Sequence, residues 1–96
     1  MIFLRVMKQW KNKAIKDLAK AFLKIKSENL MLSFLRDLAT LEELNSLSAR
    51  WQAVKLINQG LSYREVTKKT GLSTATVTRV AHWLNNGEGG YRRVLK

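Results

Sequence analysis

Apolar residues recur at intervals of three and four along almost the whole chain, and this spacing constrains the fold more than any other feature. The interval matches one face of an α-helix, and the alternating pattern of half-buried strands is absent. The chain has no proline, and its five glycines lie where helices would end. We therefore predict an all-α fold of about six helices. A length of 96 residues suggests one domain over 1–96.

Capping residues predict where several helices begin. Ser27 is a plausible N-cap. Thr40 with Glu43, and Ser62 with Glu65, each fit a capping box, in which two side chains satisfy two backbone N–H groups. The predicted organisation is a basic N-terminal helix in 1–26, core or dimer helices in 28–59, a helix-turn-helix in 62–84 and a C-terminal segment in 85–96.

Two predicted helices carry clear apolar stripes. The first runs from about Val6 to Ile25, and its lysines mostly cover other faces. Such a basic helix can join a dimer or contact phosphates, although this pattern is more often a solvated face. The third helix ends before Gly60. The stripes consist of Trp10, Ala14, Leu18, Phe22 and Ile25 in the first helix, and of Leu44, Leu47, Trp51, Val54 and Leu56 in the third.

The net charge of +11 indicates the class of partner rather than the fold. Nucleic acid, an anionic membrane surface and an acidic protein are the candidates. Lys and Arg are divided evenly, nine in 1–48 and nine in 49–96, so the charge is not a basic tail. The chain has no cysteine, no secretory leader pattern and no apolar run long enough to span a membrane. We expect a soluble cytoplasmic protein without membrane association.

The segment 62–84 has the spacing of a helix-turn-helix. A short helix ends at Thr70, Gly71 suits a tight turn, and Ser73 is a candidate N-cap for the next helix, which we expect to end near Trp83 or Leu84. Apolar contact between the two crossed helices is expected from Val66, Val77 and Val80.

Short side chains dominate the start of the second motif helix, in the stretch TGLSTATVTRV. Recognition helices contact base edges with their N-terminal residues, and Thr and Ala methyl groups can contact the thymine methyl group. One threonine here would as readily be a capping residue, but three in this register on a +11 chain favour DNA binding. We predict DNA contacts from Arg64, Lys68, Lys69, Ser73, Thr74, Ala75, Thr76, Thr78, Arg79 and His82.

The chain resembles the Trp repressor superfamily from about Leu18 to Leu95, and most closely its YerC/YecD-like branch. The resemblance is carried by FLRDLAT, LSARWQAVKLINQGLSYREV, TGLSTATVTRV and LNNGEGGY. It implies an intertwined homodimer, a two-fold symmetric operator in double-stranded DNA and a place at the bacterial nucleoid. It also matches Arg64 to a DNA-contacting arginine, and it matches the start of the recognition helix to Thr74, Ala75, Thr76 and Thr78.

The same resemblance suggests a vestigial ligand pocket. Thr40, Arg50 and Arg79 match positions that hold or flank tryptophan in the Trp repressor, and Arg79 matches the carboxylate clamp. Val80 stands where that repressor has a glycine, and Trp83 where it has a serine. Both changes add bulk, so we expect a closed pocket, partly filled by Trp83, and no cofactor. The simpler interpretation of Trp83 is core packing.

Catalytic and metal-binding patterns are missing from the sequence. His82 is the only histidine, and without cysteine it cannot complete a zinc site of the usual kind. The NGEGG stretch lacks the Lys-Ser/Thr of a phosphate-binding loop and is expected to end a helix. We therefore expect no enzyme and no metal.

The preferred interpretation is a dimeric transcriptional regulator, most plausibly a repressor, that binds DNA without tryptophan. One alternative is a protein-interaction module with the helix-turn-helix as its scaffold. Others are an amino-acid-responsive repressor and a DNA-binding element of a transposase or replication initiator, against which the missing catalytic domain counts. The operator, the regulated genes and the sign of regulation do not follow from the sequence.

Overall fold

A computed structural model describes residues 10–96, which form six α-helices and no β-strand. The helices are α1 (Lys13–Leu23), α2 (Glu28–Leu38), α3 (Leu41–Asn58), α4 (Tyr63–Thr70), α5 (Thr74–Asn86) and α6 (Gly90–Leu95). The predicted all-α class is confirmed. The chain divides into two compact units, one ending at Ala39 and the other comprising Thr40–Lys96. A single domain over 1–96 stays a prediction.

Helix α1 begins later than the apolar spacing predicted. The side chain of Asn12 accepts a hydrogen bond from the backbone N–H of Ile15 at 2.9 Å, and so caps the helix. The predicted continuous helix was therefore wrong at Trp10, which precedes the cap and has the Lys11 ammonium 5.4 Å from its ring centroid. The part of that prediction over 6–9 lies outside the described residues.

An aromatic contact joins α1 to α2 in the first unit. The rings of Phe22 and Phe34 meet edge to face, with centroids 5.5 Å apart. Ser27 caps α2 as predicted, accepting from the N–H of Leu30 at 3.1 Å. Neither helix contains a fully buried residue, and Leu23 is 81% exposed. The apolar side of this unit is therefore only partly covered by its own chain.

The core of the second unit is formed where α3, α4 and α5 meet. Val54, Val66 and Val77 come from these three helices in turn, and each is fully buried. The cluster is completed by Ala53, Val80 and Leu84, with Trp51, Leu56, Ile57, Leu61, Leu72, Tyr91 and Leu95 packed against it.

The predicted stripe of α3 is only partly buried. Val54 is in the core, but Leu47 is 53% exposed, because it lies more than a helical turn before the α3 residues that meet α4 and α5. Ala53, which the apolar spacing did not single out, is fully buried.

Both predicted capping boxes are present. Thr40 and Glu43 bond reciprocally at the start of α3, and Ser62 and Glu65 do so at the start of α4. Gly60 follows the end of α3 with φ +94, as predicted for a residue after a helix C-terminus. Helix α5 runs to Asn86, two residues beyond the predicted end. A Cβ at Gly87 would collide with the Trp83 carbonyl oxygen, so this glycine suits the actual end.

None of the helices described between residues 10 and 96 is long and apolar enough to cross a membrane.

The capping box of α3 predicts a pH dependence of stability. The backbone N–H and then the hydroxyl of Thr40 hydrogen-bond the Glu43 carboxylate, and they lower the pKa of Glu43 below its ordinary value of 4.5. A lowered pKa stabilises the fold above the unfolded value, and this contribution disappears as the pH falls through the folded value. We expect Glu43→Gln to flatten the fall in stability between about pH 6 and about pH 3.

Urea unfolding across that pH range measures the effect. Glu42→Gln makes the same charge change on the exposed neighbour, which forms no cap bond, and should keep the wild-type pH dependence. Identical pH profiles for the two variants would contradict the assignment.

Candidate nucleic-acid interface

The turn between α4 and α5 is fixed by hydrogen bonds within a few residues. Gly71 adopts φ +76 and donates to the carbonyl of Thr67 at 2.9 Å. The hydroxyl of Thr70 donates to the carbonyl of Val66 at 2.7 Å and accepts from the N–H of Leu72 at 3.2 Å. The structure confirms the predicted helix-turn-helix, and Thr70 has a role that sequence reasoning missed. Its position directly before the turn glycine was the available signal.

Ser73 caps α5, but the hydroxyl groups at this end are partly used within the chain. Ser73 Oγ accepts from the N–H of Thr76 at 3.1 Å and donates to Thr76 Oγ1 at 2.9 Å. Thr76 is half-buried, so only part of its side chain is available for the predicted DNA contact. The reason is its position one turn after the cap, on the side of α5 that also carries Val80.

The outward face at the start of α5 consists of short side chains. Thr74, Ala75 and Thr78 are exposed, whereas Val77 between them is fully buried. The hydroxyl of Thr78 donates to the carbonyl of Thr74 at 2.9 Å, which leaves its oxygen free to accept. This face therefore presents methyl groups and hydroxyl acceptors close to the helix backbone.

Exposed lysine, arginine and histidine side chains flank this face. Arg64, Lys68 and Lys69 are exposed on α4, and Arg79 and His82 are exposed on α5. Glu65 is the only acidic residue in 62–84, and its carboxylate accepts from the N–H of Ser62 at 3.0 Å. The surface around the turn therefore has an excess of positive charge.

Four of the five residues of the suggested ligand pocket lie together. Arg50, Arg79, Val80 and Trp83 line one cavity of about 90 Å³. Thr40 is not among its lining residues, and its hydroxyl accepts from the N–H of Glu43 at 3.1 Å. Sequence reasoning missed two lining residues, Thr76 and Tyr91.

Trp83 is not a core residue. It is 49% exposed, it meets the ring of His82 edge to face at 5.2 Å, and it borders both the small cavity and an open cleft of about 490 Å³. Simple core packing is therefore the wrong interpretation of this side chain. The cleft is lined by Trp51, Trp83, Gly87, Glu88, Gly90, Tyr91 and Val94.

Within residues 10–96, no group of three acidic or histidine side chains is placed to hold a metal ion.

These helices define a helix-turn-helix protein, and comparison with known proteins identifies its family. The model of the Trp repressor protein family matches residues 13–96. The chain is 32% identical over 85 residues to YerC of Bacillus subtilis strain 168, an uncharacterized protein, and the match covers 88% of this chain and 82% of YerC.

Two solved structures agree closely with this fold. The crystal structure of a TrpR-like protein from Eubacterium eligens has a TM-score of 0.85 and 37% identity, covering 91% of this chain and 90% of that one. A protein from Staphylococcus aureus, described as a candidate Trp repressor, has a TM-score of 0.85 and 34% identity, covering 93% and 89%. The chain belongs to the Trp repressor family. This membership indicates a helix-turn-helix regulator.

Adjacent residues of α5 provide a matched test of its two faces. Val77→Ala should lower the free energy of unfolding by about 2 kcal/mol, because it removes fully buried methyl groups from the core. Thr78→Ala should change it by less than about 0.5 kcal/mol, because Thr78 is exposed. Urea unfolding measures both values, and equal decreases would contradict the division into faces.

Proposed function

We propose that the protein is a sequence-specific DNA-binding transcriptional regulator, most plausibly a repressor, that acts as a dimer. The observation that carries this proposal is the division of α5 into two faces. Val77, Val80 and Leu84 fix the helix in the core, and short exposed side chains remain at its N-terminal end. A helix held in this way can enter the major groove with its backbone close to the base edges.

The charges around the turn support a duplex as the partner. Arg64, Lys68 and Lys69 are exposed on α4. In this proposal they bind phosphates that orient the motif, while Thr74, Ala75 and Thr78 contact bases. Ser73, Arg79 and His82 are further phosphate or base contacts, and Thr76 supports the N-terminal turn through Ser73.

Exposed apolar side chains support a second copy of the chain. Leu23 in the first unit and Val94 in the second are 81% and 71% exposed, and Leu38 and Leu41 are at least half exposed. A second copy of the chain would remove these apolar side chains from water. A symmetric dimer would place two copies of α5 in successive major grooves of a two-fold symmetric operator, roughly 34–36 Å apart.

The size of the small cavity supports DNA binding without tryptophan. Its volume of about 90 Å³ is far below the ~300 Å³ at which small-molecule pockets usually begin. Arg50 and Arg79 both line the cavity, as they would if they held the carboxylate of a bound tryptophan. In this proposal Arg79 instead has a structural role or binds a DNA phosphate.

Selection of bound DNA from a random pool tests the function directly. Enrichment of a two-fold symmetric site supports the proposal, and a selection that enriches no site contradicts it. Interaction with an acidic protein through the same surface is the outcome expected if no DNA sequence is preferred.

We predict that Ala75→Glu abolishes binding to the selected site. The new carboxylate would face the negative potential of the groove, and Ala75 is exposed in the first turn of α5, where an acidic residue favours the helix dipole. Stability should therefore be kept or slightly raised. Affinity should fall at least about 100-fold, because loss of a base contact costs about 1–3 kcal/mol and the groove also repels the new carboxylate.

Gln52→Glu is the matched control. It adds the same charge at an exposed position of α3, outside the 62–84 motif, and should leave affinity within a few-fold of the wild type. Fluorescence anisotropy with the selected duplex measures both variants. Unchanged binding by Ala75→Glu would show that α5 does not enter the groove.

Isothermal titration with L-tryptophan tests the closed cavity. We expect no heat of binding at micromolar ligand and no change in operator affinity when tryptophan is added. Micromolar binding would show that Val80 and Trp83 leave room for the ligand.

A further inference from the structure

Four lysines lie on one side of α1 and its C-cap residue Lys24, and we call them the lysine row. Lys13, Lys16, Lys20 and Lys24 are spaced by three, four and four residues, and all are exposed. At about 100° and 1.5 Å per residue, they lie within about 80° of one another around the helix axis, over roughly 16 Å of its length. Their ammonium groups therefore form one linear cationic strip.

The opposite face of α1 is partly occupied within the first unit. Phe22 lies nine residues after Lys13, which places it on the far side of the helix from the lysine row. Its ring packs edge to face on Phe34 of α2. A helix that lies in a membrane interface needs its apolar face free to enter the bilayer. In the proposed dimer a second copy also covers the exposed Leu23, so the lysine row favours a polyanion that binds cations without apolar insertion.

The number of charges shows why this strip matters for DNA. The segment 10–26 contains six lysines and one acidic residue, Asp17, whereas 62–84 contains four Lys or Arg and one Glu. Affinity for DNA rises with the number of phosphates neutralised. The segment 10–26 therefore offers more cations for phosphate binding than the helix-turn-helix does.

From the lysine row we propose a second DNA surface, which binds backbone phosphates and carries no sequence preference. This inference rests on the proposed function. The row raises affinity for any duplex, while α5 selects the operator. Asp17 lies inside the row, four residues after Lys13 and three before Lys20, and it weakens the strip.

The test uses the full chain with all four lysines of the row replaced by glutamine, which preserves helix propensity. Affinity for the selected operator and for an unrelated duplex is measured between about 50 and 200 mM salt. The salt slope, which is the slope of log affinity against log salt concentration, should become shallower by about 0.9 for each phosphate that is no longer neutralised. This corresponds to about an eightfold weaker affinity per phosphate at 0.1 M salt. The ratio of the two affinities should not change.

Two further variants test the direction and the size of the effect that a charge in the lysine row has on DNA affinity. Asp17→Asn should strengthen binding to both duplexes. Lys96→Gln removes one exposed lysine outside the row and should have a smaller effect than the average lysine of the row. An equal effect per charge would overturn the inference, because only net charge would then matter. Circular dichroism checks that every variant keeps its helix content.

The outcomes separate this inference from the function on which it rests. An unchanged salt slope in the four-lysine variant, with operator binding still abolished by Ala75→Glu, overturns the lysine row and leaves the function standing. No DNA binding by the wild type overturns both. Loss of binding to phosphatidylserine vesicles, with the DNA salt slope unchanged, assigns the row to a membrane surface and also overturns the inference.

Discussion

The packing of Val54, Val66 and Val77 is the constraint on which the second unit depends. Each valine is fully buried and comes from a different helix, so α3, α4 and α5 are fixed at one point. Small β-branched side chains have few rotamers, and they allow helix backbones to approach closely. The turn at Gly71 then determines the direction in which α5 leaves this point. The orientation of the exposed face of α5 follows from these two features.

The two candidate DNA surfaces differ in how they are built. The face of α5 depends on side chains held by a core and by hydrogen bonds of 2.9–3.1 Å at Ser73, Thr76 and Thr78. The lysine row depends only on helical spacing, because long flexible cations need no fixed geometry to attract phosphate. If both surfaces bind DNA as proposed, binding through the first would be sensitive to base sequence, and binding through the second would be sensitive to salt.

Helix caps and the turn of this fold could be predicted from the sequence, but the exposure of individual side chains could not. Both capping boxes and the turn at Gly71 depend on side chains within a few residues, so their sequence signals were sufficient. Asn12 was missed because the apolar spacing continues through it. The exposure of Leu47 and Trp83 depends on whether another helix packs against these side chains. Residue type and spacing do not determine which helices pack there. The contacts assigned to DNA stay predictions.

The division of α5 has a consequence for how proteins of this kind diverge. Thr74, Ala75 and Thr78 contribute nothing to the buried cluster, while Val77, Val80 and Leu84 contribute nothing to the exposed face. Substitutions on the exposed side leave the buried contacts intact, so each is expected to change the free energy of unfolding by less than about 0.5 kcal/mol. A lineage can acquire a new exposed face on α5 while the core is inherited unchanged, and no compensating mutation in the fold is required.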